Sequence, residues 1–359
     1  MKFVIFGLTI SSSWGNGHAT LWRGLVKALL RRGHQVVFYE RDVPYYAEHR
    51  DLWEIPGGTL VLYSDWDEVA RDAARHADEA DVAMVTSYCP DGVAASHLVL
   101  GSKARRTVFY DLDTPVTLSR LDAGERPAYL PPEGLGGFDL VLSYTGGEAL
   151  TELKTRLGAK AVAPLYGWVD PEVHRPTDPA QHYLADLSYL GTYAEDRQAA
   201  LEQLFIEPAR RLPRRRFVIG GAQYPESFPW TSNIFFVQHL PPAEHPAFFC
   251  SSVLTLNVTR DAMKRMGWCP SGRLFEAAAC GVPLVSDWWE GLESFFEPGR
   301  EILVAKETDD VTTALMLPRD HLATLGRRAR ERTLAEHTAE HRVSQLRKLL
   351  DLTGGGGDD

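Results

Sequence analysis

MKFVIFGLTISSSWGNGHATLWRGLVKALLRRGHQVVFYE, residues 1–40, carries the strongest fold signal in the chain. Residues 2–8 and 35–39 are short apolar runs, as is typical of buried strands. Between them leucines recur every four residues from Leu21, and Gly33 ends the predicted helix. A strand, a helix and a second strand in this order predict two parallel strands joined by a helix, the repeating unit of an α/β protein.

The same alternation of apolar runs and helical periodicity continues through the chain, with one interruption. The further predicted strands are residues 60–63, 82–86, 107–110, 140–143, 161–165, 187–190, 216–220, 234–237, 253–258, 282–286 and 302–304. The interruption, residues 166–186, is rich in Pro and Asp, which indicates an extended connection.

We therefore predict two α/β domains whose parallel sheets face each other across a cleft. The predicted boundaries are residues 1–170 for an acceptor-side domain, 171–186 for a hinge, 187–353 for a donor domain with a long C-terminal helical region, and 354–359 for a flexible tail. Open parallel sheets bind ligands beyond the carboxyl ends of their strands, so site residues are expected directly after strands.

Composition limits the classes of partner and location. The net charge of -10 over 359 residues argues against nucleic acid as the main partner. No window approaches the roughly 20 apolar residues of a membrane span, and the first apolar run is too short for a secretory signal. The four Cys form no CxxC pair, which favours free thiols in a reducing cytoplasm. Oligomeric state is not indicated.

The loop after the first strand is a candidate anion site. Gly15, Asn16 and Gly17 directly precede the first helix, whose free backbone N–H groups and positive dipole end can face a negatively charged group. The alternative is a tight turn in which Asn16 serves only as a cap.

His18 follows that loop and is a candidate general base for a hydroxyl group. Asp111 and Asp113 follow the strand at 107–110 and are expected at the same edge of the sheet, where one of them can orient His18 and stabilise its charged form. For Asp113 a turn or cap role before a Thr-Pro pair is the alternative.

The second domain repeats the pattern with two candidate phosphate sites. Gly191 and Thr192 follow a strand and precede a helix. The stronger signal is SGRLFEAAACGVP, residues 271–283, a helix of small residues that ends at a glycine before a strand. Its candidate ligands are Ser271, Gly272 and Arg273 for a diphosphate and Glu276 for the hydroxyls of a ribose. The alternative for Glu276 is a helix-capping role.

Five segments in order resemble the GT-B glycosyltransferases, in particular the spore-maturation-type CgeB-like group. They are residues 15–40, 166–176, 255–263 (TLNVTRDAM), 271–287 (SGRLFEAAACGVPLVSD) and 291–305 (GLESFFEPGREILVA). The resemblance implies two Rossmann-like domains and transfer of a hexose-like sugar from a UDP-, dTDP- or GDP-sugar to a small-molecule or glycan acceptor, with no metal and no other cofactor.

The resemblance also implies roles for individual residues. Glu276 is similar in position to the glutamate that holds the donor ribose. The loop with His18 is similar in position to the acceptor-side entrance of the site. The remaining implied donor-site residues are Arg260 and Arg273 at the diphosphate, His239 at the base, and Asp287 and Glu290 at the sugar hydroxyls.

Two departures from the family pattern leave the stereochemistry open. Many retaining members carry two glutamates separated by seven residues, and here Trp268 stands where the first would be. Inverting members of the plant type use a His with an Asp partner, which His18 with Asp111 or Asp113 resembles by position.

Three other functions fit parts of the sequence. A nicotinamide dehydrogenase would use Gly15 and Gly17 with Glu40 at the end of the second strand, although the first Gly lies too far from the strand and Thr20 replaces the third. A metal-dependent transferase would use Asp111 and Asp113 as a DxD cation site. A non-catalytic nucleotide or sugar binder, or a nucleotide-sugar epimerase, would use the same two domains.

Overall fold

The computed structural model describes residues 1–352, so the predicted tail at 354–359 lies outside the described residues. The chain forms two compact units. The first comprises Met1–Tyr166 together with the chain from Ala339 onward, and the second comprises Gly167–Thr338. Within residues 1–352, no helix combines the length and the apolar character needed to cross a membrane.

The first unit is built on a seven-stranded parallel sheet with the order β3-β2-β1-β4-β5-β6-β7. Its strands are β1 Lys2–Gly7, β2 Gln35–Arg41, β3 Thr59–Tyr63, β4 Val82–Thr86, β5 Arg106–Asp111, β6 Leu140–Ser143 and β7 Val162–Pro164. Its first six helices are α1 His18–Arg31, α2 Pro44–Ala47, α3 Trp66–Asp78, α4 Gly92–Leu100, α5 Thr114–Asp122 and α6 Glu148–Leu157.

Burial explains why the central strands read as continuous apolar runs. Every residue of β4 is buried, because helices cover both faces of a parallel sheet. In α1, Leu25 and Leu29 are buried on the sheet side together with Trp22, as the four-residue periodicity predicts.

The second unit contains a six-stranded parallel sheet with the order β10-β9-β8-β11-β12-β13. Its strands are β8 Ala185–Leu190, β9 Phe217–Gly221, β10 Ile234–Gln238, β11 Ser252–Asn257, β12 Leu284–Ser286 and β13 Leu303–Val304. Its helices are α7 Gln198–Leu201, α8 Glu207–Arg211, α9 His245–Cys250, α10 Asp261–Met266, α11 Gly272–Ala279, α12 Thr308–Ala314 and α13 Arg319–Glu336, with a π-helical turn at Glu202–Ile206 between α7 and α8.

The last helix, α14 Ala339–Leu352, belongs to the first unit, whereas the sequence assigned it to the second domain. Its buried face of Val343, Leu346 and Leu350 packs there, and α14 contacts α1. Arg342 Nε also donates a hydrogen bond to the Tyr166 carbonyl over 2.9 Å. The apolar periodicity of this helix is visible in the sequence, but it does not say which sheet the apolar face covers.

All thirteen predicted strands are present, with ends that differ by at most two residues. In each sheet the chain returns to the centre and then builds outward on the other side, so the order reverses between β1 and β4 and between β8 and β11. Loops at such a reversal splay apart and leave room for a ligand beyond the carboxyl ends of the strands. The candidate site residues follow these strands or their neighbours.

Candidate functional site

The loop between β1 and α1 is held in a fixed shape by its own glycine and asparagine. Gly15 has φ +64°, and a Cβ there would lie 2.6 Å from the Tyr45 hydroxyl, so only glycine fits. Asn16 Oδ1 accepts a hydrogen bond from the Ala19 N–H over 3.1 Å, and its amide donates to carbonyls within the loop. Asn16 therefore does act as a cap, while Gly17 borders open space.

Glu40 anchors the start of this loop. It is fully buried, and its two carboxylate oxygens accept hydrogen bonds from the hydroxyl of Thr9, the backbone N–H of Ile10, and the backbone N–H and hydroxyl of Ser11, over 2.5–3.0 Å. In a dinucleotide-binding domain the acidic residue at this place must be open to a ribose. Because both oxygens of Glu40 are committed to the protein, the structure argues against the dehydrogenase alternative.

His18 and Asp113 come together at the edge of the first sheet. His18 Nε2 lies 3.5 Å from Asp113 Oδ2, and the exposed fractions of the two side chains are 12% and 22%. Asp113 makes no capping hydrogen bond to α5, so its carboxylate is available to the imidazole. The edge of the His18 ring packs on Tyr88, whose φ is +63°. His18 Nδ1 is buried and has no hydrogen-bond partner among the described residues.

Asp111 occupies a different environment from Asp113. It is fully buried at the end of β5 and accepts a hydrogen bond from the Asp113 N–H over 3.0 Å. Burial raises the pKa of Asp111 to about 6, against the effect of nearby donors. A DxD cation site needs two open, charged carboxylates, and Asp111 fits that role poorly.

The loop after β8 brings polar backbone and cationic groups together. A Cβ on Gly191 would lie 2.6 Å from the Tyr189 hydroxyl, so this position also requires glycine. The carbonyl of Thr192 accepts a hydrogen bond from Arg197 Nη1 over 3.2 Å, and the Gly191 carbonyl accepts one from the Tyr224 hydroxyl over 3.0 Å.

Two arginines from different elements act on Tyr224. Burial raises the pKa of the Tyr224 phenol, and the positive charges of Arg197 and Arg273 both act to lower it. The Nε atoms of the two arginines are buried without a hydrogen-bond partner in the described part of the chain. Ser271 begins α11, where its hydroxyl accepts the Arg273 N–H over 3.4 Å and leaves Gly272 in the first turn. The start of α11 and the loop after β8 thus form one cationic region.

Two further cations of this unit already have acidic partners. Arg260 Nε lies 3.1 Å from Asp196 Oδ2, and Lys264 Nζ lies 3.4 Å from Asp287 Oδ2. Asp287 is buried, and its other oxygen accepts hydrogen bonds from the backbone and hydroxyl of Thr259. The carboxylate predicted to contact a sugar therefore also braces the loop after β11.

Glu276 lies against two histidines that sequence reasoning did not select. Its Oε2 is 3.9 Å from His174 Nε2 and 3.6 Å from His245 Nδ1. Burial by itself would raise the pKa of Glu276, but His174, His245 and Arg273 lower it to about 2. Glu276 is thus a buried, charged acceptor in the middle of α11, and the helix cap is Ser271. His174 lies in the quoted segment 166–176, but nothing in its spacing indicates a partner.

The other predicted positions occupy loop ends. His239 has φ +47°, and its N–H donates to the Gly221 carbonyl over 2.7 Å. The side chain of Glu290 is exposed, and its carbonyl accepts the Trp268 N–H over 2.6 Å. Trp268 itself has φ +47° and packs on Gly291. A tryptophan held in a strained conformation thus stands where many relatives carry their first glutamate.

The comparisons with known proteins agree with this architecture. A model of a family described as glycosyl transferase-like matches residues 197–348, less than half of the chain, and this region includes α11. A search of curated proteins finds no match. Sucrose-phosphate synthase from Thermosynechococcus elongatus has a TM-score of 0.71 at 13% identity, covering 98% of each chain.

Two further solved structures have a similar fold. Anabaena HepE in complex with UDP and glucose has a TM-score of 0.68 at 13% identity, covering 98% of this chain and 100% of that one. An α-glucosyltransferase in complex with UDP and a 13-mer DNA has a TM-score of 0.68 at 12% identity, covering 98% of this chain and 99% of that one. The predicted fold class is confirmed: the chain has the GT-B fold, two Rossmann-like α/β domains with parallel sheets.

Proposed function

We propose that the protein is a glycosyltransferase of the CgeB-like group, which transfers a hexose from a UDP-sugar to a hydroxyl group of a small molecule or glycan. The observation that carries the proposal is α11, where Arg273 and Glu276 lie within the segment matched by the glycosyl transferase-like model. UDP is preferred over dTDP and GDP because HepE and the α-glucosyltransferase are in complex with UDP.

The second unit supplies the donor site in this proposal. Arg273 and Arg197, together with the free N–H groups at the start of α11, bind the diphosphate. Arg260 and Lys264 add positive charge once their present acidic partners give way. Four cationic side chains offset the charge of a departing UDP, so transfer needs no divalent metal.

Glu276 accepts hydrogen bonds from the ribose, and the backbone around His239 contacts the base. Asp287 and Glu290, after β12, are assigned to the sugar hydroxyls. The glycine at 191 lets the diphosphate approach the backbone closely.

The first unit supplies the base. Since His18 Nε2 faces Asp113, Nδ1 is the nitrogen left for the acceptor hydroxyl. Nδ1 takes the hydroxyl proton as the acceptor oxygen bonds to the anomeric carbon and the bond from that carbon to the phosphate oxygen breaks, releasing UDP. Asp113 then stabilises the imidazolium through Nε2. Because Nδ1 is buried, the ring or a neighbouring loop must move to admit the acceptor.

Location and hinge complete the proposal. None of the four cysteines, which all lie within the described residues, forms a disulfide, which fits a reducing cytoplasm. The segment predicted as a hinge, residues 171–186, lies within the second unit, so we assign domain movement to the two places where the chain passes between the units, Tyr166–Gly167 and Thr338–Ala339. The loop from Gly15 to Gly17 would then guide the acceptor and present N–H groups to the leaving phosphates.

Trp268 favours a second candidate, a nucleotide-sugar binder without turnover, because the first glutamate of the retaining pattern is replaced. An epimerase of the same fold would convert the donor without an acceptor. UDP release from a panel of UDP-hexoses, with and without a glycan and polyol acceptor panel, separates the three. Release that depends on an acceptor supports transfer. Conversion of the donor sugar without an acceptor would replace transfer with the epimerase function. Tight UDP binding without turnover on any pair of donor and acceptor would replace it with the binder function.

A further inference from the structure

His174, His245 and Glu276 form what we call the acid–imidazole cluster, and they reach it from three separate segments. His174 precedes β8, His245 is the first residue of α9, and Glu276 lies in α11. All three side chains are nearly or fully buried, with exposed fractions of 1%, 14% and 11%. Both imidazoles approach the same carboxylate oxygen, Oε2, over 3.9 and 3.6 Å.

The orientation of His245 follows from its contacts. Its Nε2 lies 3.2 Å from the Leu240 carbonyl oxygen, and because a carbonyl only accepts, Nε2 carries a hydrogen. This contact directs the other ring nitrogen, Nδ1, toward Glu276 Oε2 at 3.6 Å.

His174 approaches the same carboxylate oxygen from a more deeply buried position. Its burial lowers the pKa of the imidazole, and neither ring nitrogen has a hydrogen-bond partner among the residues that the structure describes. An N–H at Nε2 is directed to the oxygen that His245 also faces. The contacts of both imidazoles involve Oε2, which leaves Oε1 of Glu276 for a ligand.

Other charged groups act on the cluster. Arg273 precedes Glu276 by one turn of α11 and helps to keep its carboxylate charged, while Glu276 and Asp170 favour the protonated form of His174 against the effect of its burial. Since His245 helps to lower the pKa of Glu276, its removal is expected to make Glu276 easier to protonate.

We infer that His245 and His174 are positioning residues that keep Glu276 charged and oriented toward the ribose hydroxyls of the donor, and that the cluster thereby sets the preference for a ribonucleotide over its 2′,3′-dideoxy form. The inference rests on the proposed function, since it assigns Glu276 to a ribose. To the proposed donor site it adds two residues, His174 and His245, and a preference for nucleotides that carry ribose hydroxyls.

The same three groups are also potential metal ligands, and their spacing distinguishes the two uses. The candidate ligand atoms lie within 4.8 Å of one another. Around a tetrahedral zinc ion, with bonds of about 2.0–2.2 Å, they would stand only about 3.4 Å apart. The ligand atoms of the cluster are spaced more widely than those around a bound zinc ion, and zinc binding is one outcome of the test.

The test compares binding of UDP and 2′,3′-dideoxy-UDP by titration calorimetry on the full chain. The variants are His245→Phe, His245→Gln, His174→Phe and Glu276→Gln, and the exposed His321→Phe is the matched control. Loss of the imidazole that helps to keep Glu276 charged and oriented is expected to weaken UDP binding about tenfold to hundredfold in His245→Phe. Binding of the dideoxy nucleotide is expected to change less than about twofold, so that the selectivity seen in the wild type and in His321→Phe disappears.

His245→Gln, which keeps a donor, should recover part of the selectivity, and His174→Phe should lose part of it. Equal weakening of both nucleotides would mean that the histidines only support the fold and would overturn the inference. One equivalent of Zn²⁺ bound by the wild type and lost in His174→Phe would also overturn it, because the imidazoles would then be metal ligands. Failure of the wild type to bind UDP would instead refute the proposed function itself.

Discussion

Replacement of Glu40 tests whether this residue serves the loop or a ligand. Glu40→Gln preserves the shape of the side chain and removes its charge. The two backbone N–H groups of Ile10 and Ser11 can still donate to the remaining carbonyl oxygen, and the hydroxyls of Thr9 and Ser11 must turn to accept from the new amide.

Hydrogen bonds to a charged group contribute about 1.5–3 kcal/mol each, and neutral ones about 1 kcal/mol. Four weakened bonds would amount to about 2–8 kcal/mol, and relief of burying a charge offsets much of this loss. We expect a net destabilisation of the loop of about 2 kcal/mol for Glu40→Gln, and about 4 kcal/mol for Glu40→Ala, which leaves two buried N–H groups unpaired.

Hydrogen exchange followed by mass spectrometry on peptides covering residues 8–17 measures this loss locally, which matters because a chain of two units need not unfold in one step. A loss of about 2 kcal/mol corresponds to about thirtyfold faster exchange of the Ile10 and Ser11 amides. Glu48→Gln, at an exposed position, is the control. Exchange in Glu40→Gln that matches Glu48→Gln would refute the reasoning, and selective loss of NAD binding without a change in exchange would restore the dehydrogenase alternative.

Three further predictions concern both units. His18→Ala should lower the kcat of sugar transfer about 10²–10⁴-fold, and Asp113→Asn should lower it about tenfold. In both variants the affinity for UDP, measured by calorimetry, should stay within twofold. An equal loss of UDP affinity would exclude a role in chemistry. Asp111 has a pKa raised from 3.8 to about 6 in the folded state, so the folded chain binds the extra proton and stability falls as pH rises from about 4 to about 6. Asp111→Asn should therefore flatten that pH dependence and stabilise the first unit by up to about 3 kcal/mol at pH 7 in urea denaturation, and an unchanged pH profile would contradict this. Gly191→Ala places a Cβ against a tyrosine hydroxyl and should cost about 1–3 kcal/mol together with most UDP affinity, whereas Gly17→Ala, which meets open space, should change stability by less than about 0.5 kcal/mol; similar effects of the two would remove the argument from close approach.

The sheets were predictable because buried parallel strands leave a strong local signal. Every strand from β1 to β13 corresponds to an apolar run bounded by polar or glycine residues. The meeting of His18 with Asp113 was predictable for the same reason, since both follow strands that end at one edge of a sheet. Which of Asp111 and Asp113 is the partner of His18 could not be predicted, because this depends on which side chain turns into the protein interior at the end of β5.

The acid–imidazole cluster and the position of α14 could not be predicted. His174 and His245 are 71 residues apart and have no motif that links them, so only the packing of α9 and α11 brings them to one carboxylate. For α14, an apolar face shows that the helix is buried but not where. Glu40 illustrates the converse case, in which a motif-like position is explained by loop structure once its hydrogen bonds are known.

Nucleotide binding measured by thermal unfolding tests the central claim most directly. The purified chain is unfolded in the presence of UDP, dTDP, GDP, ADP or NAD, each with and without EDTA. A ligand at a hundredfold excess over its Kd should stabilise the protein by about 2.7 kcal/mol. We predict stabilisation by UDP above the other nucleotides, unchanged by EDTA and lost in Glu276→Gln. Stabilisation by NAD alone, or a UDP effect that EDTA abolishes, would contradict a metal-independent donor site on α11.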